Sequence, residues 1–433
     1  MTAEESPASR SLWRDRRFRT FWIGETLSQF GDRISELALP LIAVVLLDAS
    51  AGEVGLLTAA VWGPNVVSLF VGSWVDQRRR KRVLLVVADL ARALVLLTVP
   101  LAYLLDALTL EHLYVVALLT GLGQVLFSTA YPPVFVGLVR RDQFLEANSK
   151  LSASRSASFV AGPAVGGGLV QLVTAPGAIV VDAATFVVSA VQIGRVKIDE
   201  QPVANTEGHS LVRRAREGLS LVLRHPILGP CLGGSTTINF FTLMASALLV
   251  LYASRELGLS AGIIGLALGI GAVGGLVGAV LAPRLAALVG VGPAILIGAV
   301  LFPAPIGLLA LAGGPTWVSA AVLGLVEFVS ALGVMLYDVN QNALQATVTP
   351  DAVRSRVAGA YSTINYGIRP LGALAGGLLG ETLGLRPTLI LAAAGGVLSV
   401  LWLLPSPIPR IRSLADLDVP EAPPTAVDTL TVP

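Results

Sequence analysis

The chain is dominated by recurring apolar stretches, each close to 20 residues long. We count twelve, at residues 21–47, 54–75, 83–105, 112–139, 151–173, 176–193, 227–252, 260–282, 293–312, 316–340, 357–379 and 384–404. A helix of this length spans the roughly 30 Å hydrocarbon core of a bilayer. Only 13% of the 433 residues are charged, against about 25% in soluble domains. The sequence therefore predicts an all-α integral membrane protein with twelve transmembrane helices, and it excludes a soluble enzyme.

The positions of Lys and Arg predict the orientation of these helices. Of the 30 basic residues, 24 lie in alternate segments that share one face with both chain ends, whereas only Arg255 and Arg386 lie in the opposite segments. Because basic loops stay on the cytoplasmic side, we expect both termini to be cytoplasmic. The basic residues are then topology markers, and the net charge of +2 does not indicate a nucleic-acid partner.

A short internal repeat divides the chain. The pattern Ser-Ala-Gly-x-x-Gly-Leu occurs at residues 50–56 and again, 210 residues later, at 260–266. Parallel repeats with a substrate site between them are a common transporter architecture. We therefore predict two six-helix bundles with a linker and two tails, at residues 1–20 (tail), 21–193 (bundle), 194–226 (cytoplasmic linker), 227–404 (bundle) and 405–433 (disordered tail).

A basic loop connects the second and third apolar stretches. It contains Gly72, Asp76, Arg80 and Lys81 at the spacing G-x-x-x-D-x-x-x-R-K. A small residue such as Gly72 allows two helices to approach closely. In this position the pattern resembles the signature loop of the major facilitator superfamily of transporters.

The resemblance implies that this loop is a cytoplasmic gate. Asp76 would face a helix N-terminus in the opposite half and hold the inner side shut in the outward-facing state. Arg80 would pair with an acid at a neighbouring helix end, for which Asp142 and Glu146 are the candidates. The alternative is a loop that only sets topology.

Three ionisable residues, Asp32, Arg33 and Glu36, fall within the first apolar stretch. A charge at the centre of a membrane helix costs about 2.5–3.5 kcal/mol on insertion scales, so these side chains require a cavity or a partner. One interpretation is a site for proton coupling or substrate contact. The other is a structural Arg33–Glu36 pair, with Asp32 bonded to a neighbouring helix.

Two further stretches carry intramembrane charges. Asp89 and Arg92 lie one turn apart in the third stretch, and this spacing favours a structural ion pair over a proton relay. Glu327 lies in the tenth stretch, where it either faces the substrate cavity or hydrogen-bonds a neighbouring helix.

The fifth stretch contains Gly162, Pro163, Gly166 and Gly167, a pattern of small residues typical of close helix packing. It resembles the G-x-x-x-G-P-x-x-G-G motif of facilitator drug antiporters, with Ser158 in place of the first glycine. The Arg that such antiporters carry in the fourth stretch is absent here, and Arg155 is the candidate substitute. Residues 356–372 make the resemblance narrower, because they are similar to the branch of the superfamily that holds the enterobactin exporter and the macrolide efflux proteins.

Several chemistries lack the residues they require. The sequence contains no G-x-x-x-x-G-K-[ST] pattern, only three His and one Cys. We therefore expect no P-loop ATPase, no cofactor and no metal site, and we do not expect an enzyme.

The function that these observations predict is secondary active transport. We expect a monomeric exporter of amphipathic small molecules (drugs, siderophores or self-made metabolites) in the cytoplasmic membrane of a bacterium, driven by proton antiport. A lysophospholipid flippase or an importer of the same fold is the alternative. A membrane sensor or enzyme is more remote, because the sequence offers neither a catalytic constellation nor a soluble output domain.

Overall fold

The computed structural model describes residues 12–140, 143–196, 219–350 and 353–417, and the regular elements in these ranges are all helical. We call residues 12–196 the first half and residues 219–417 the second half. The α-helices of the first half are α1 (Arg16–Leu41), α2 (Ala51–Trp62), α3 (Ser68–Asp76), α4 (Lys81–Leu104), α5 (Leu110–Leu138) and α6 (Phe144–Arg195). Those of the second half are α7 (Leu228–Leu251), α8 (Ala261–Val289), α9 (Val291–Leu301), α10 (Ile306–Leu309), α11 (Thr316–Val348), α12 (Arg354–Gly367), α13 (Arg369–Thr382), α14 (Leu385–Val397) and α15 (Val400–Leu403).

Eight helices among the described residues are long and apolar enough to cross a membrane. One of them runs through the 52-residue α6, which breaks at Thr174, where φ is 69°. The apolar stretches outside these eight are also helical. The first is α1 followed directly by the π-helical turn Ile42–Leu46, whereas the turn Gly63–Val67 separates α2 from α3 and Ile368 separates α12 from α13. The all-α membrane fold is confirmed, whereas the count of twelve spans stays a prediction.

The 210-residue repeat extends well beyond its two sequence motifs. Ser50 caps α2 by accepting the Glu53 N–H (3.3 Å), and Ser260 caps α8 by accepting the Ile263 N–H (3.5 Å). Other features also recur at this offset: the π-helical turns Ile42–Leu46 and Tyr252–Glu256, the first residues of α4 and α9, the first residues of α6 and α12, and the positive φ angles of Thr174 and Gly384. The two halves therefore share one register at these positions.

The halves meet at two helix crossings, α2 on α13 and α6 on α8. A Cβ added to Gly55 would lie 2.7 Å from Cα of Gly377, and a Cβ added to Gly265 would lie 2.9 Å from Cα of Gly167. The second pair is the first shifted by the 210-residue repeat. Only glycine permits backbones to approach this closely. We call these contacts the glycine crossings.

Polar contacts join the halves at the same end of the molecule. The Gly52 N–H, in the first turn of α2, donates to Oε2 of Glu381 (3.1 Å). Arg255 Nη2 binds Asp48 Oδ1 (2.5 Å) and the Val44 carbonyl (3.2 Å). We call the face that carries these contacts the outer face, and the opposite face, which carries the loop after α3, the inner face.

The hydrophobic core follows the same division. Near the outer face one cluster of buried side chains contains residues of both halves, among them Leu37, Val54, Leu248 and Ile264. Near the inner face each half has a cluster of its own, represented by Leu85 in the first half and Leu344 in the second. The two halves therefore share one hydrophobic core at the outer end, whereas each half has its own hydrophobic core at the inner end.

The C-terminal segment departs from the expectation of disorder from residue 405 onward. Ile408 is fully buried in the second half's inner core, and the Gly292 N–H donates to the Ile411 carbonyl (2.9 Å). Two isoleucines thus anchor residues 405–417 despite their prolines. Residues 418–433, and residues 197–218 of the predicted linker, lie outside the described ranges.

The glycine crossings predict a specific steric effect. We expect Gly167→Val to force the outer face open, because overpacking a tight contact costs about 1–3 kcal/mol. Nitroxide labels at Asp106→Cys and Thr316→Cys, in a Cys231→Ser background, would report the change as a longer distance between the labels. Gly168→Val is the matched control, since nothing lies within 4 Å of a Cβ at that neighbouring position. An unchanged distance in Gly167→Val, or an equal increase in both variants, would contradict the expectation.

Candidate functional site

Arg92 lies at the centre of a buried charged cluster in the first half. Its guanidinium forms an ion pair with the Asp32 carboxylate, which joins α4 to α1. The same guanidinium stacks on Phe186, with Cζ 3.9 Å from the ring centre. Gly123 on α5 leaves room for the side chain, since a Cβ there would lie 2.5 Å from Cγ of Arg92. Arg92 is only 7% exposed, so the cluster is shielded from bulk water.

The predicted Asp89–Arg92 ion pair is replaced by this Asp32–Arg92 contact. Asp89 is fully buried, and neither of its carboxylate oxygens has a partner in hydrogen-bond geometry among the described residues, although the Ser189 hydroxyl is nearby. Arg92 extends across to α1 instead of folding back along its own helix. An unpartnered buried carboxyl is costly, so Asp89 is a group whose oxygens are available to a proton or to a redirected Arg92.

Two further acids belong to this region and were missed from the sequence. Asp182 on α6 is fully buried and accepts a hydrogen bond from Ser35 on α1, in space that Gly31 leaves open. Glu25 is 5% exposed, and its Oε1 accepts from Gln29 Nε2 (2.8 Å) while Oε2 has no partner among the described residues. Both acids interrupt apolar stretches, the same signal that identified Asp32.

Arg33 and Glu36 form a separate pair on α1. Arg33 Nη1 lies 2.6 Å from Oε2 of Glu36, whose side chain is 55% exposed. The guanidinium also lies 5.4 Å from the ring centre of Phe159. The Arg33–Glu36 contact and the bond from Asp32 to α4 match the geometry of the second interpretation, whereas the role of Asp32 in proton coupling stays a prediction.

The glycine motif of α6 packs on two sides. A Cβ on Gly162 would lie 2.6 Å from Cβ of Arg33, and one on Gly166 would lie 3.2 Å from Cα of Ile34, so both glycines adjoin α1. Gly167 and the Pro163 carbonyl adjoin Gly265 on α8. The motif therefore links the charged helix α1 to a glycine crossing.

The second half contributes a different group at the junction. Arg369 stacks against Trp62 of the first half (4.4 Å from Cζ to the ring centre) and against Tyr366 (4.5 Å), while its Nε donates to Oδ1 of Asn239 (3.0 Å). Trp62 is the last residue of α2. This contact therefore joins the halves deeper in the molecule than the outer-face pairs.

Two predicted site residues make no direct contact with Asp32 or Arg92. Glu327 is half-buried on α11 beside Gly271, whose added Cβ would lie 2.9 Å from Cβ of Glu327. Arg155 is exposed, and its carbonyl accepts from the Ser158 hydroxyl (2.9 Å). Among the described side chains, no hydrogen bond or ion pair connects either residue to Asp32 or Arg92.

The predicted gate lies at the inner face. Gly72 is near Thr129 (3.8 Å from an added Cβ), and Lys81 begins α4. Arg80 is exposed. The Glu146 carboxylate binds Lys150 Nζ (3.2 Å) and accepts from the Leu12 N–H (3.2 Å). Glu146 is therefore paired with Lys150 and not, as predicted, with Arg80. The Asp76 side chain and Asp142 lie outside the described part of the chain. The gating role of Asp76 stays a prediction.

The cluster thus combines one arginine with several carboxyls, of which Asp32 is paired and Asp89 is unpartnered among the described residues. The described residues contain no group of three or more His, Cys, Asp or Glu arranged to hold a metal ion.

Comparison with known proteins places this geometry in a family. The sequence profile of the Major Facilitator Superfamily matches residues 21–373. The multidrug efflux pump Tap of Mycolicibacterium fortuitum is 26% identical over 409 residues, which cover 89% of this chain and 93% of the relative. Tap of Mycobacterium tuberculosis (strain ATCC 25618 / H37Rv) is 27% identical over 423 residues, covering 90% and 94%.

Solved structures agree in fold. A bacterial homologue of the iron transporter ferroportin in an inward-facing state matches with a TM-score of 0.72 at 17% identity, over 90% of this chain and 98% of that one. The nucleoside transporter NupG matches with a TM-score of 0.71 at 11% identity, over 93% and 100%. With a profile match over most of its length, this multi-pass membrane protein belongs to the major facilitator superfamily and is a transporter, not an enzyme.

Proposed function

We propose that the chain exports amphipathic small molecules by proton antiport, working as a monomer in the cytoplasmic membrane of a bacterium. The observation that carries the proposal is the unequal joining of the two halves. They share a core and two glycine crossings at the outer face, whereas each half has its own core at the inner face. An arrangement of this kind admits substrate from the inner side while the outer side is closed.

Alternating access then requires the outer contacts to separate. Arg255 would leave Asp48, Glu381 would leave the N-terminus of α2, and Arg369 would leave Trp62. Because few side-chain atoms interlock at the glycine crossings, the two helix pairs can separate and pack together again. The predicted inner gate around Asp76, Arg80 and Lys81 would hold the inner face in the opposite state.

Proton entry supplies the driving force in this proposal. A proton on Asp32 removes the charge that binds Arg92 and releases the guanidinium toward Asp89, one turn away on the same helix. Such a switch alters the contact between α1 and α4, and α1 adjoins the glycine motif of α6. One elementary charge moving through 100 mV supplies about 2.3 kcal/mol, equivalent to a substrate gradient of roughly 50-fold.

The efflux direction and substrate class are supported by the relatives. The Tap proteins are multidrug efflux pumps, and they match this chain over nine-tenths of their own length. Arg33, Glu36, Arg155, Glu327 and the stacked Arg369 are candidates for substrate contact.

The first test is substrate uptake into inverted vesicles with an acidic interior, using a panel of macrolides, dyes and catecholate siderophores. We expect wild-type uptake to collapse when the pH gradient is removed. We expect Asp32→Asn to lose gradient-driven accumulation by at least about tenfold, a loss worth roughly 1.4 kcal/mol, because Asn cannot exchange a proton with the Arg92 cluster. Exchange of labelled for unlabelled substrate, which needs no net proton movement, should persist in Asp32→Asn.

Glu111→Gln is the control, since it neutralises an exposed acid in the first turn of α5 that is not among the candidate site residues. Equal accumulation in wild type and Asp32→Asn would remove Asp32 from the coupling mechanism. If no compound is taken up although thermal melting shows a folded protein, lipid transport or import would be favoured.

The outer ion pair predicts a small conformational effect. Arg255→Gln removes a pair whose Asp48 partner is 95% exposed, and exposed pairs contribute about 0.2–1 kcal/mol. We therefore expect a shift toward the outward-open state of no more than about fivefold, measured by the labels described above. A complete loss of the outer-closed state would show that the pair, rather than the glycine crossings, closes this face.

A further inference from the structure

A basic cavity lies at the inner face, away from the junction of the halves. It lies between the first turns of α1 and the last turn of α6, and its volume is about 510 Å³. It is lined by Arg16, Arg17, Thr20, Gln192, Arg195 and Val196. None of these residues takes part in the transport cycle described above.

The cavity arises from the way the two helices cross. At Gly24 the helices are close, because an added Cβ would lie 3.2 Å from Cβ of Gln192 and 3.3 Å from Cα of Ser189. One turn nearer the start of α1, Thr20 and the larger arginines replace glycine, and the helices leave room between them. The cavity is thus formed by backbone geometry, not by a loop.

The charge around the cavity is positive. Arg17 Nε lies 3.9 Å from Oδ1 of Asp15. Arg16 and Arg195 have no ion-pair partner among the described side chains. Arg82 Nη1 donates to the carbonyls of Gly194 (3.3 Å) and Val196 (2.5 Å). These carbonyls belong to the negative end of α6, so Arg82 offsets the one dipole that would repel an anion here.

Tryptophans place the cavity at the level of lipid headgroups. Trp13 is 41% exposed and stacks edge-on against Trp22, with ring centres 4.8 Å apart. Trp is enriched at the boundary between hydrocarbon and water, and these two flank Arg16 and Arg17 in sequence. The arginines therefore lie where the phosphates of the inner leaflet are expected.

The helix faces that continue from the cavity toward the membrane centre are apolar and exposed. Ile23 and Leu27 follow Thr20 along one stripe of α1, and Val188 and Val191 precede Gln192 and Arg195 on α6; each of the four is between 38% and 44% exposed. A free anion would make no favourable contact with this apolar surface, whereas the acyl chains of a lipid would cover it.

From these observations we propose that the cavity binds the phosphate headgroup of an anionic phospholipid, with the acyl chains lying along α1 and α6. Basic pockets between membrane helices on the cytoplasmic side are a recognised type of anionic-lipid site. The occupant would bridge α1, which carries Asp32, and the end of α6.

The test is native mass spectrometry of the full chain in detergent, titrated with phosphatidylglycerol, phosphatidylcholine or inorganic phosphate. We expect wild type to prefer phosphatidylglycerol over phosphatidylcholine. The double variant Arg16→Gln/Arg195→Gln should weaken phosphatidylglycerol binding by about 25-fold, because each basic residue near an anionic surface contributes about fivefold.

The control is Arg284→Gln/Arg410→Gln, which removes the same charge from exposed arginines of the second half. Thr20→Phe fills the cavity without changing any charge and should also weaken binding, so the proposal remains testable if the double arginine variant does not fold. Equal losses in the control, or undiminished binding in Thr20→Phe, would overturn the site. Equal binding of phosphatidylcholine would overturn headgroup recognition, and competition by inorganic phosphate at matched concentration would identify a free anion in place of a lipid.

Discussion

The close approach of backbones at the two glycine crossings is the constraint on which the rest of the structure depends. Gly55 on Gly377 and Gly265 on Gly167 bring the halves together at one end, and the shared apolar core, the Arg255–Asp48 pair and the Arg369–Trp62 stack surround those crossings. Larger residues there would separate the helices and expose the core. The inner ends are not bound by this constraint, and each half completes its own core there.

The second organising feature is the excess of acid around Arg92. Asp32 binds the guanidinium, Asp89 lies fully buried one turn away, and Asp182 and Glu25 are buried in the same half. Charged groups are retained within membrane segments where they have a functional or pairing role. A cluster with more carboxyls than cations has several ways to arrange one proton, and this property underlies the proposed coupling role.

Much of the fold could be predicted from the sequence. The thickness of the bilayer determines the length of the apolar stretches, and the two sides of the membrane determine which loops carry Lys and Arg. The repeat motif at Ser50 and Ser260 correctly marked equivalent helix starts. The partner of Arg92 could not be predicted, since helical spacing identifies Asp89 as a neighbour but says nothing about the distance to α1. Asp182 and Glu25 could have been found as acids in apolar stretches. The anchoring of Ile408 could not, because the Pro-rich composition around it is also that of disordered tails.

The shared register of the halves has an electrical consequence. Shifting the cluster by 210 residues replaces Asp32 with Thr242, Arg92 with Phe302 and Asp182 with Ala392. None of these counterparts is ionisable. Among these paired positions the framework is therefore asymmetric in charge. A voltage across the membrane would act on the charged groups of the first half and would find no ionisable group at the corresponding positions of the second half.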